Sequence, residues 1–390
     1  MITINGNAEL VKAADRGSGK KNDPYVIEGR AETIFIMNTT DHLVIRGCFF
    51  AGPHTIVVET ARNVEIAENE FVSVEVGLMV TKSVKIQILR NEIFSCDSNG
   101  ILVADGNENT IRENTVAAAG TAGTDGIFIK WGRGNVVERN EVTNSGIEGD
   151  TGMGIELYES SATVVRENFI KRSAESGIYV GEACGVVEGN EVRESGKTGI
   201  MFSASNNSVA RDNKTYKNVE HGIEVSQGKG YIIEGNEASE NKKSGVGVRG
   251  CREVVMKGNK CYNNGQNGFE IYRGNKFVVD GNEASKNKSG IYIRDGGKNV
   301  ITGNKIRLNS QNGIFSFGGS NENVFEDNEV SENDLTGISI HGNYNQVIRN
   351  TIKKNAISPV YLHKSGIGIE GEGNLVEGNE VMENTGKGIE

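Results

Sequence analysis

The chain has 390 residues, among them 52 glycines, three prolines and five cysteines. Its formal net charge of −10 argues against general binding to nucleic acid or to an anionic membrane surface. The sequence contains no transmembrane run, so membrane insertion is not predicted, and it opens without a recognisable signal peptide, which leaves secretion open.

The first 35 residues differ from everything that follows. The stretch NAELVKAADRG predicts a short helix, and DPYVIEG predicts a first strand. We expect residues 1–35 to form an N-terminal cap, because the open end of a repeat array exposes apolar core and unpaired strand edges.

Residues 36–390 form a repeat array whose clearest mark is a ladder of asparagines, most of them 22 to 24 residues apart. A fixed period of this length means that each repeat, here called a coil, is one structural unit stacked on its neighbours. The fourteen ladder positions are Asn69, Asn91, Asn114, Asn140, Asn168, Asn190, Asn213, Asn236, Asn259, Asn282, Asn304, Asn328, Asn350 and Asn379.

A typical coil reads G-I-x-I, a polar turn, N-x-V-x-x-N-x-V, and then a second Asn. The segment GIEVSQGKGYIIEGNEASEN, from Gly222 to Asn241, is one example, and its apolar residues alternate with the period of a strand. We expect Ile223, Val225, Ile232 and Ile233 to point inward. Glycine at the corner suits positive φ or close stacking, and asparagine suits left-handed backbone and amide hydrogen bonds between coils.

The sequence therefore predicts an all-β parallel β-helix of about 14 coils, with residues 36–390 as a single domain. The last residues, Gly388-Ile389-Glu390, begin another G-I-x strand. This end is predicted to be uncapped, with a further domain or an oligomeric partner packed against it.

The segments GSGKKNDPYVIEG and IFIMNTTDHLVIRGCFF, together with the asparagine coils, resemble the NosD-like, pectate-lyase-like superfamily of right-handed parallel β-helix proteins. The resemblance covers nearly the whole chain. It implies a right-handed helix, carbohydrate-binding or sugar-hydrolase repeats, and an extracellular or cell-surface location. It does not specify a reaction, because the Asp-Pro-His-Asp motif of mannuronan epimerases is absent and only DPYV and GPHT are present.

The x residue of G-I-x-I and the residue two further on are expected to point outward. Many of these positions hold aromatic or charged residues, which suit sugar rings and their hydroxyl or carboxylate groups. The competing interpretation is simple side-by-side packing that stabilises the sheet. The residues predicted to bind a sugar are Phe128, Trp131, Tyr179, Tyr272, Tyr292 and Arg294.

Glu224 and Glu270 occupy the same outward position two coils apart, with backbones about 9.6 Å from each other. The intervening residue is Gly247, which is expected to leave a gap, and Arg249 lies beside it. Inverting glycosidases separate their two carboxyl groups by about 6.5–9.5 Å. The predicted catalytic set has one Glu as general acid, the other as general base, Arg249 orienting the substrate, and His221 as a further titratable group.

Two long repeat steps, after Asn114 and Asn140, are expected to build a wall beside the outward face. Asp125, Asp150 and Glu156 would collect there as a calcium site, with a basic residue for β-elimination as in the lyases that the fold resembles. The competing interpretation is a solvated acidic loop. The sequence thus predicts either no cofactor or calcium.

Three functions remain open at this point. The chain is a polysaccharide hydrolase or lyase, a non-catalytic glycan-binding or surface module of a longer secreted protein, or a structural spacer. Binding of an oligo- or polysaccharide is common to the first two, and it is the function that the sequence predicts.

Overall fold

The structure, a computed structural model, describes residues 1–117, 123, 125–146, 151–357 and 365–390. The chain forms an all-β parallel solenoid of about 15 turns, which confirms the predicted architecture and is close to the predicted number of coils. It divides into two compact units, Met1–Gly196 and Lys197–Glu390, and in each unit the strands form three parallel sheets.

In the unit Met1–Gly196, sheet 1 consists of Ile2–Asn5, Ile34–Met37, Ile56–Glu59, Leu78–Thr81, Ile101–Ala104, Ile127–Lys130, Ile155–Tyr158 and Ile178–Gly181. Sheet 2 consists of Tyr25–Glu28, Leu43–Arg46, Val64–Ala67, Gln87–Leu89, Thr110–Arg112, Val136–Glu138, Ser161–Arg166 and Cys184–Glu188. Sheet 3 consists of Phe49–Gly52, Glu70–Val74, Glu92–Phe94, Thr115–Ala117, Glu141–Thr143, Phe169–Lys171 and Glu191–Arg193.

In the unit Lys197–Glu390, sheet 1 consists of Ile200–Ser203, Ile223–Lys229, Val246–Arg252, Phe269–Tyr272, Ile291–Arg294, Ile314–Phe317, Ile338–His341, Ser365–Glu370 and Lys387–Ile389. Sheet 2 consists of Val209–Arg211, Ile232–Glu234, Val255–Lys257, Val278–Asp280, Val300–Thr302, Val324–Glu326, Gln346–Ile348 and Leu375–Glu377. Sheet 3 consists of Lys214–Tyr216, Glu237–Ser239, Lys260–Tyr262, Glu283–Ser285, Lys305–Arg307, Glu329–Ser331, Thr351–Lys353 and Glu380–Met382.

The apolar residues of successive coils stack directly upon one another in the core. Ile223 pairs in register with Val246, and Val246 pairs with Phe269; all three side chains are fully buried. Ile233 is also buried, but its neighbour Ile232 is 38% exposed, so the prediction that both point inward was wrong. Consecutive residues of a strand face opposite sides of the sheet, and only one of the two can enter the core.

The asparagine ladder is a stack of buried side-chain amides that bond each coil to the next. Asn259 donates from Nδ2 to the Ile233 carbonyl at 2.8 Å and to Asn282 Oδ1 at 2.9 Å. Its own Oδ1 accepts from the backbone N–H and the Nδ2 of Asn236, both at 2.9 Å. The interior amides thus bond to one another, as the sequence predicted, and also to the backbone of neighbouring coils.

The left-handed backbone conformation falls on the residue before the ladder asparagine and not on the asparagine itself. Asp212 and Gly258 have φ of 52° and 60°, and they precede Asn213 and Asn259. Among the described residues, none of the fourteen ladder asparagines has positive φ. Asparagine is therefore selected at these positions for its amide, and the preceding residue makes the turn.

The corner glycines are selected for close stacking. A Cβ added to Gly313 would lie 2.3 Å from Val330 Cγ1 and 2.6 Å from the Gly337 carbonyl oxygen, closer than any side chain tolerates. The backbone of one coil thus lies directly against the next at this corner, which places the adjoining strands of sheet 1 in strict register.

The N-terminal segment contains the predicted short helix, Asn7–Ala13, which buries Leu10. It also contributes a strand, because Ile2–Asn5 pairs in parallel with Ile34–Met37. Within the described residues, no helix is long and apolar enough to cross a membrane.

Candidate functional site

The outward face of sheet 1 carries an interaction pattern that recurs from coil to coil. The residue before the corner glycine, here called the pre-glycine residue, reaches the outward x residue of the following coil. Because the coils are stacked in register, a pre-glycine side chain and the next x side chain become neighbours. The clearest pairs are Asp125 with Glu156, Thr198 with Glu224, His221 with Gly247, and Ser244 with Glu270.

Glu224 and Glu270 lie two coils apart on this face, as the sequence predicted, since Gly247 pairs in register with both. Thr198 Oγ1 donates to Glu224 Oε2 at 3.3 Å, and Ser244 Oγ donates to Glu270 Oε2 at 2.7 Å. Both carboxylates are largely buried, with side chains 12% and 15% exposed. Their positions are therefore fixed by hydroxyl groups of the preceding coils.

Arg249 lies between the two carboxylates. Its Nε is 3.5 Å from Glu224 Oε1, and its Nη2 is 3.9 Å from Glu270 Oε1. The guanidinium is about half exposed and forms the outer surface of the cluster. A substrate that used both glutamates would have to displace it or bind over it.

His221 fills the space that was predicted to be a gap. A Cβ added to Gly247 would lie 3.0 Å from His221 Nδ1 and 3.1 Å from Cε1, so the imidazole occupies the room left by the missing side chain. The ring is 1% exposed, and neither of its nitrogens has a hydrogen-bond partner among the described residues. Burial lowers the pKa of His221, and the nearby carboxylates of Glu224 and Glu270 partly oppose that effect.

Further along the same face lies an aromatic patch made of Tyr292, Phe315 and Phe317. Phe315 and Phe317 are stacked with ring centroids 4.9 Å apart, and Tyr292 contacts them edge-on at 5.9 and 5.3 Å. The Arg294 guanidinium lies 5.6 Å from the Phe317 ring and 5.5 Å from the ring of Tyr272. The three rings of the patch and the ring of Tyr272 are all partly exposed. The structure thus brings the predicted residues Tyr272, Tyr292 and Arg294 together.

A cavity of about 470 Å³ adjoins Phe315, and its polar lining was not predicted from the sequence. Asn312, Ser339, His341 and Glu370 all line it. His341 Nδ1 lies 2.9 Å from Glu370 Oε2, and His341 Nε2 lies 3.4 Å from Ser339 Oγ. The sequence feature that could have predicted this lining is the i, i+2 spacing of Ser339 and His341, which places both side chains on the outward face.

In the other unit, Asp125 and Glu156 form a carboxyl pair. Asp125 Oδ1 accepts the Met153 backbone N–H at 2.7 Å, and the two carboxyl groups share a hydrogen bond. Burial, with the Glu156 carboxylate as a second cause, raises the pKa of Asp125 to about 8; burial likewise raises the pKa of Glu156. The pair therefore retains a proton near neutral pH.

Phe128, Trp131 and Tyr179 also lie in the unit Met1–Gly196. Lys130 Nζ lies 5.6 Å from the centroid of the Phe128 ring and 4.6 Å from that of Trp131, which is 49% exposed. Tyr179 pairs in register with Glu156, and its ring lies over Gly181. Phe128 and Trp131 thus both contact Lys130, whereas Tyr179 lies two coils from Phe128 on the same face.

The predicted calcium site is only partly described. Asp150 lies outside the described residues, while Asp125 and Glu156 are neighbours. Within the described part of the chain, no group of three or more His, Cys, Asp or Glu side chains is arranged to hold a metal ion. All five cysteines are free thiols, four of them buried.

The family model of the right-handed β-helix region matches residues 25–149, 54–209, 121–249, 153–300 and 244–390. The chain therefore belongs to the right-handed β-helix family. No curated protein matches the sequence.

Solved structures with a similar chain path include the periplasmic alginate epimerase AlgG, with 14% identity over 87% of this chain and 78% of that chain and a TM-score of 0.43. The A-module of the Azotobacter vinelandii mannuronan C-5 epimerase AlgE4 is 13% identical over 90% of this chain and 88% of that one, with a TM-score of 0.45. The Dettilon tailspike protein is 14% identical over 90% of this chain and 62% of that one, with a TM-score of 0.49. No activity is inferred from likenesses of this extent.

Proposed function

We propose that the protein binds an oligo- or polysaccharide on the outward face of sheet 1 in the unit Lys197–Glu390. The observation that carries the proposal is the aromatic patch, with its three partly exposed rings beside a cavity lined by hydroxyl, imidazole and carboxylate groups. Flat rings contact the apolar faces of sugars, and the polar groups bond to sugar hydroxyls. An extracellular or cell-surface location belongs to the same proposal.

The test is calorimetric titration with a panel of neutral and acidic polysaccharides. Replacing one ring of the patch, as in Phe317→Ala, removes a stacking contact worth about 1 kcal/mol and weakens binding roughly fivefold. Tyr344→Ala is the matched control, because Tyr344 is 62% exposed and lies outside the patch.

If Phe317→Ala and Tyr344→Ala lowered the affinity for the glycan equally, the aromatic patch would not be part of the binding site. If the wild-type protein bound no glycan of the panel, the non-catalytic scaffold module of a longer secreted protein would become the better hypothesis.

Cleavage of the polysaccharide is a second candidate function, favoured by the placement of Glu224 and Glu270 two coils apart. In this proposal one glutamate protonates the leaving oxygen, the other activates water, and Arg249 holds the substrate. Release of reducing ends should fall at least 100-fold in Glu224→Gln and in Glu270→Gln. Full activity in both variants would exclude the pair. Elimination that required calcium would instead favour the region around Asp125, Asp150 and Glu156.

A further inference from the structure

Ser339, His341 and Glu370 form a hydrogen-bonded chain on the outward face of sheet 1. Ser339 and His341 lie on the strand Ile338–His341, and Glu370 lies opposite His341 in the next coil. With Nδ1 donating to Glu370 Oε2 at 2.9 Å, Nε2 is the free acceptor that faces Ser339 Oγ at 3.4 Å. A hydroxyl, an imidazole and a carboxylate in this order are the parts of a serine nucleophile site, and such contacts are often loose before substrate binds.

We propose that Ser339 is the nucleophile of an ester-hydrolysing site that removes acyl groups from an O-acylated sugar. His341 is its general base and Glu370 orients the imidazole. The sugar as the alcohol part of the ester rests on the proposed function, whereas the hydrolytic chemistry rests on the side chains of this site and needs no sugar.

Asn312 is the residue that would donate a hydrogen bond to the negative charge that develops in the reaction. It precedes Gly313, so it is a pre-glycine residue, and the contact pattern of the other coils places it beside the x residue of the following coil, Ser339. Asn312 Oδ1 accepts the Thr336 backbone N–H at 3.1 Å, which fixes the orientation of the amide. Asn312 Nδ2 makes no hydrogen bond within the described residues, and both residues line the cavity.

The neighbours of Ser339 leave room for a substrate. On one side Ser339 pairs in register with Phe315 of the aromatic patch, and on the other with Gly368, which has no side chain. The cavity of about 470 Å³ opens at this position. A sugar stacked on the patch would therefore present an acyl substituent to the Ser339 hydroxyl.

The reaction follows from this geometry. Ser339 Oγ attacks the ester carbonyl carbon while its proton passes to His341 Nε2, and Asn312 Nδ2 donates to the resulting oxyanion. The bond between the carbonyl carbon and the sugar oxygen breaks, and that oxygen takes the proton from His341. Water, deprotonated by His341, then attacks the acyl-serine and releases the carboxylic acid and the free Ser339 hydroxyl. One ester and one water become one alcohol and one acid.

The test uses the full chain with two probes that contain no sugar. A fluorophosphonate should label the protein once, at Ser339 by peptide mass mapping, and p-nitrophenyl acetate should be hydrolysed. Ser339→Ala should abolish labelling, and both Ser339→Ala and His341→Gln should lower the hydrolysis rate by on the order of 1000-fold. Glu370→Gln should lower it less, because that change leaves the nucleophile and base in place. Ser310→Ala, an exposed serine outside the cavity, is the control and should behave as wild type.

Circular dichroism and thermal unfolding would establish that each variant is folded. Absence of both labelling and hydrolysis in the folded wild-type protein would overturn the proposal, as would hydrolysis that survives in Ser339→Ala. Acetylated and deacetylated oligosaccharides then test the substrate class. If Ser339 were labelled but no glycan bound, the proposed ester hydrolysis would stand and the proposed glycan binding would be rejected. If a glycan bound but Ser339 were not labelled, glycan binding would stand and the ester hydrolysis would be rejected.

Discussion

The carboxyl group of Asp125 illustrates what one residue does in this stack. It is 6% exposed, accepts a backbone N–H from Met153, and shares a hydrogen bond with Glu156 of the following coil. Burial beside a second carboxylate favours the neutral form of the Asp125 carboxyl. The folded state therefore binds this proton more tightly than the unfolded chain does.

The first prediction concerns pH. The pKa of Asp125 rises from 3.8 to about 8 on folding, because burial and then Glu156 disfavour the charged form. The contribution of the protonated Asp125 carboxyl to the free energy of unfolding is therefore complete below about pH 4. It decreases as the pH rises and is lost as the pH passes about 8. Thermal unfolding between pH 4 and pH 9 should show wild type losing stability toward alkaline pH and Asp125→Asn losing less. Parallel profiles for the two proteins would contradict this, and Asp105→Asn, an exposed site, is the control.

At the scale of one element, the corner glycines decide how closely two coils approach. The strand Ile314–Phe317 begins directly after Gly313, where there is no room for a Cβ. The equivalent Gly388 has its nearest atom, Val381 Cγ1, 3.9 Å from an added Cβ. The same substitution at these two positions thus separates the effect of crowding from the effect of the residue type.

The second prediction follows from that comparison. Gly313→Ala forces the coils apart and should lower the free energy of unfolding by about 1–3 kcal/mol, whereas Gly388→Ala should change it by less than about 0.5 kcal/mol. Urea denaturation of the two variants and wild type measures both values. If both variants lost a similar free energy of unfolding, chain flexibility, and not crowding, would explain why glycine occupies the corner positions.

The elements that follow the repeat could be predicted from the sequence, because a solenoid converts spacing along the chain into register between coils. Glu224 and Glu270 were placed in this way. The position of the His221 imidazole over Gly247 could not be, since it depends on how a pre-glycine side chain leans toward the next coil. Glu370 was also missed: it lies 29 residues after His341, a longer step than the usual repeat, so counting residues does not align the two.

For the whole molecule, stability comes from contacts between adjacent coils, as in other repeat proteins. The asparagine ladder is the most regular of these contacts. Each interior amide bonds both the coil before it and the coil after it, so its loss affects two neighbours at once.

The third prediction tests this coupling. Asn259→Ala leaves the buried Asn236 N–H without a partner and removes one donor to the Ile233 carbonyl, which should cost about 1–3 kcal/mol. Hydrogen exchange measured by mass spectrometry should show lower protection in peptides of the unit Lys197–Glu390 than in the same peptides of wild type. Asn379→Ala, at a partly exposed ladder position, should cost less because water replaces its bonds. Equal destabilisation by the two variants would show that the ladder amides contribute independently of their burial.

The ladder has a consequence for how such a chain changes length over generations. Because the amide of every interior coil offers the same donor and acceptor to the coil on either side, removing or duplicating one complete segment of 22 to 24 residues would rejoin matching partners. An insertion of one or two residues within a strand would instead turn core side chains outward. Descendants of this gene that differ in length should therefore differ by whole coils or by longer surface excursions.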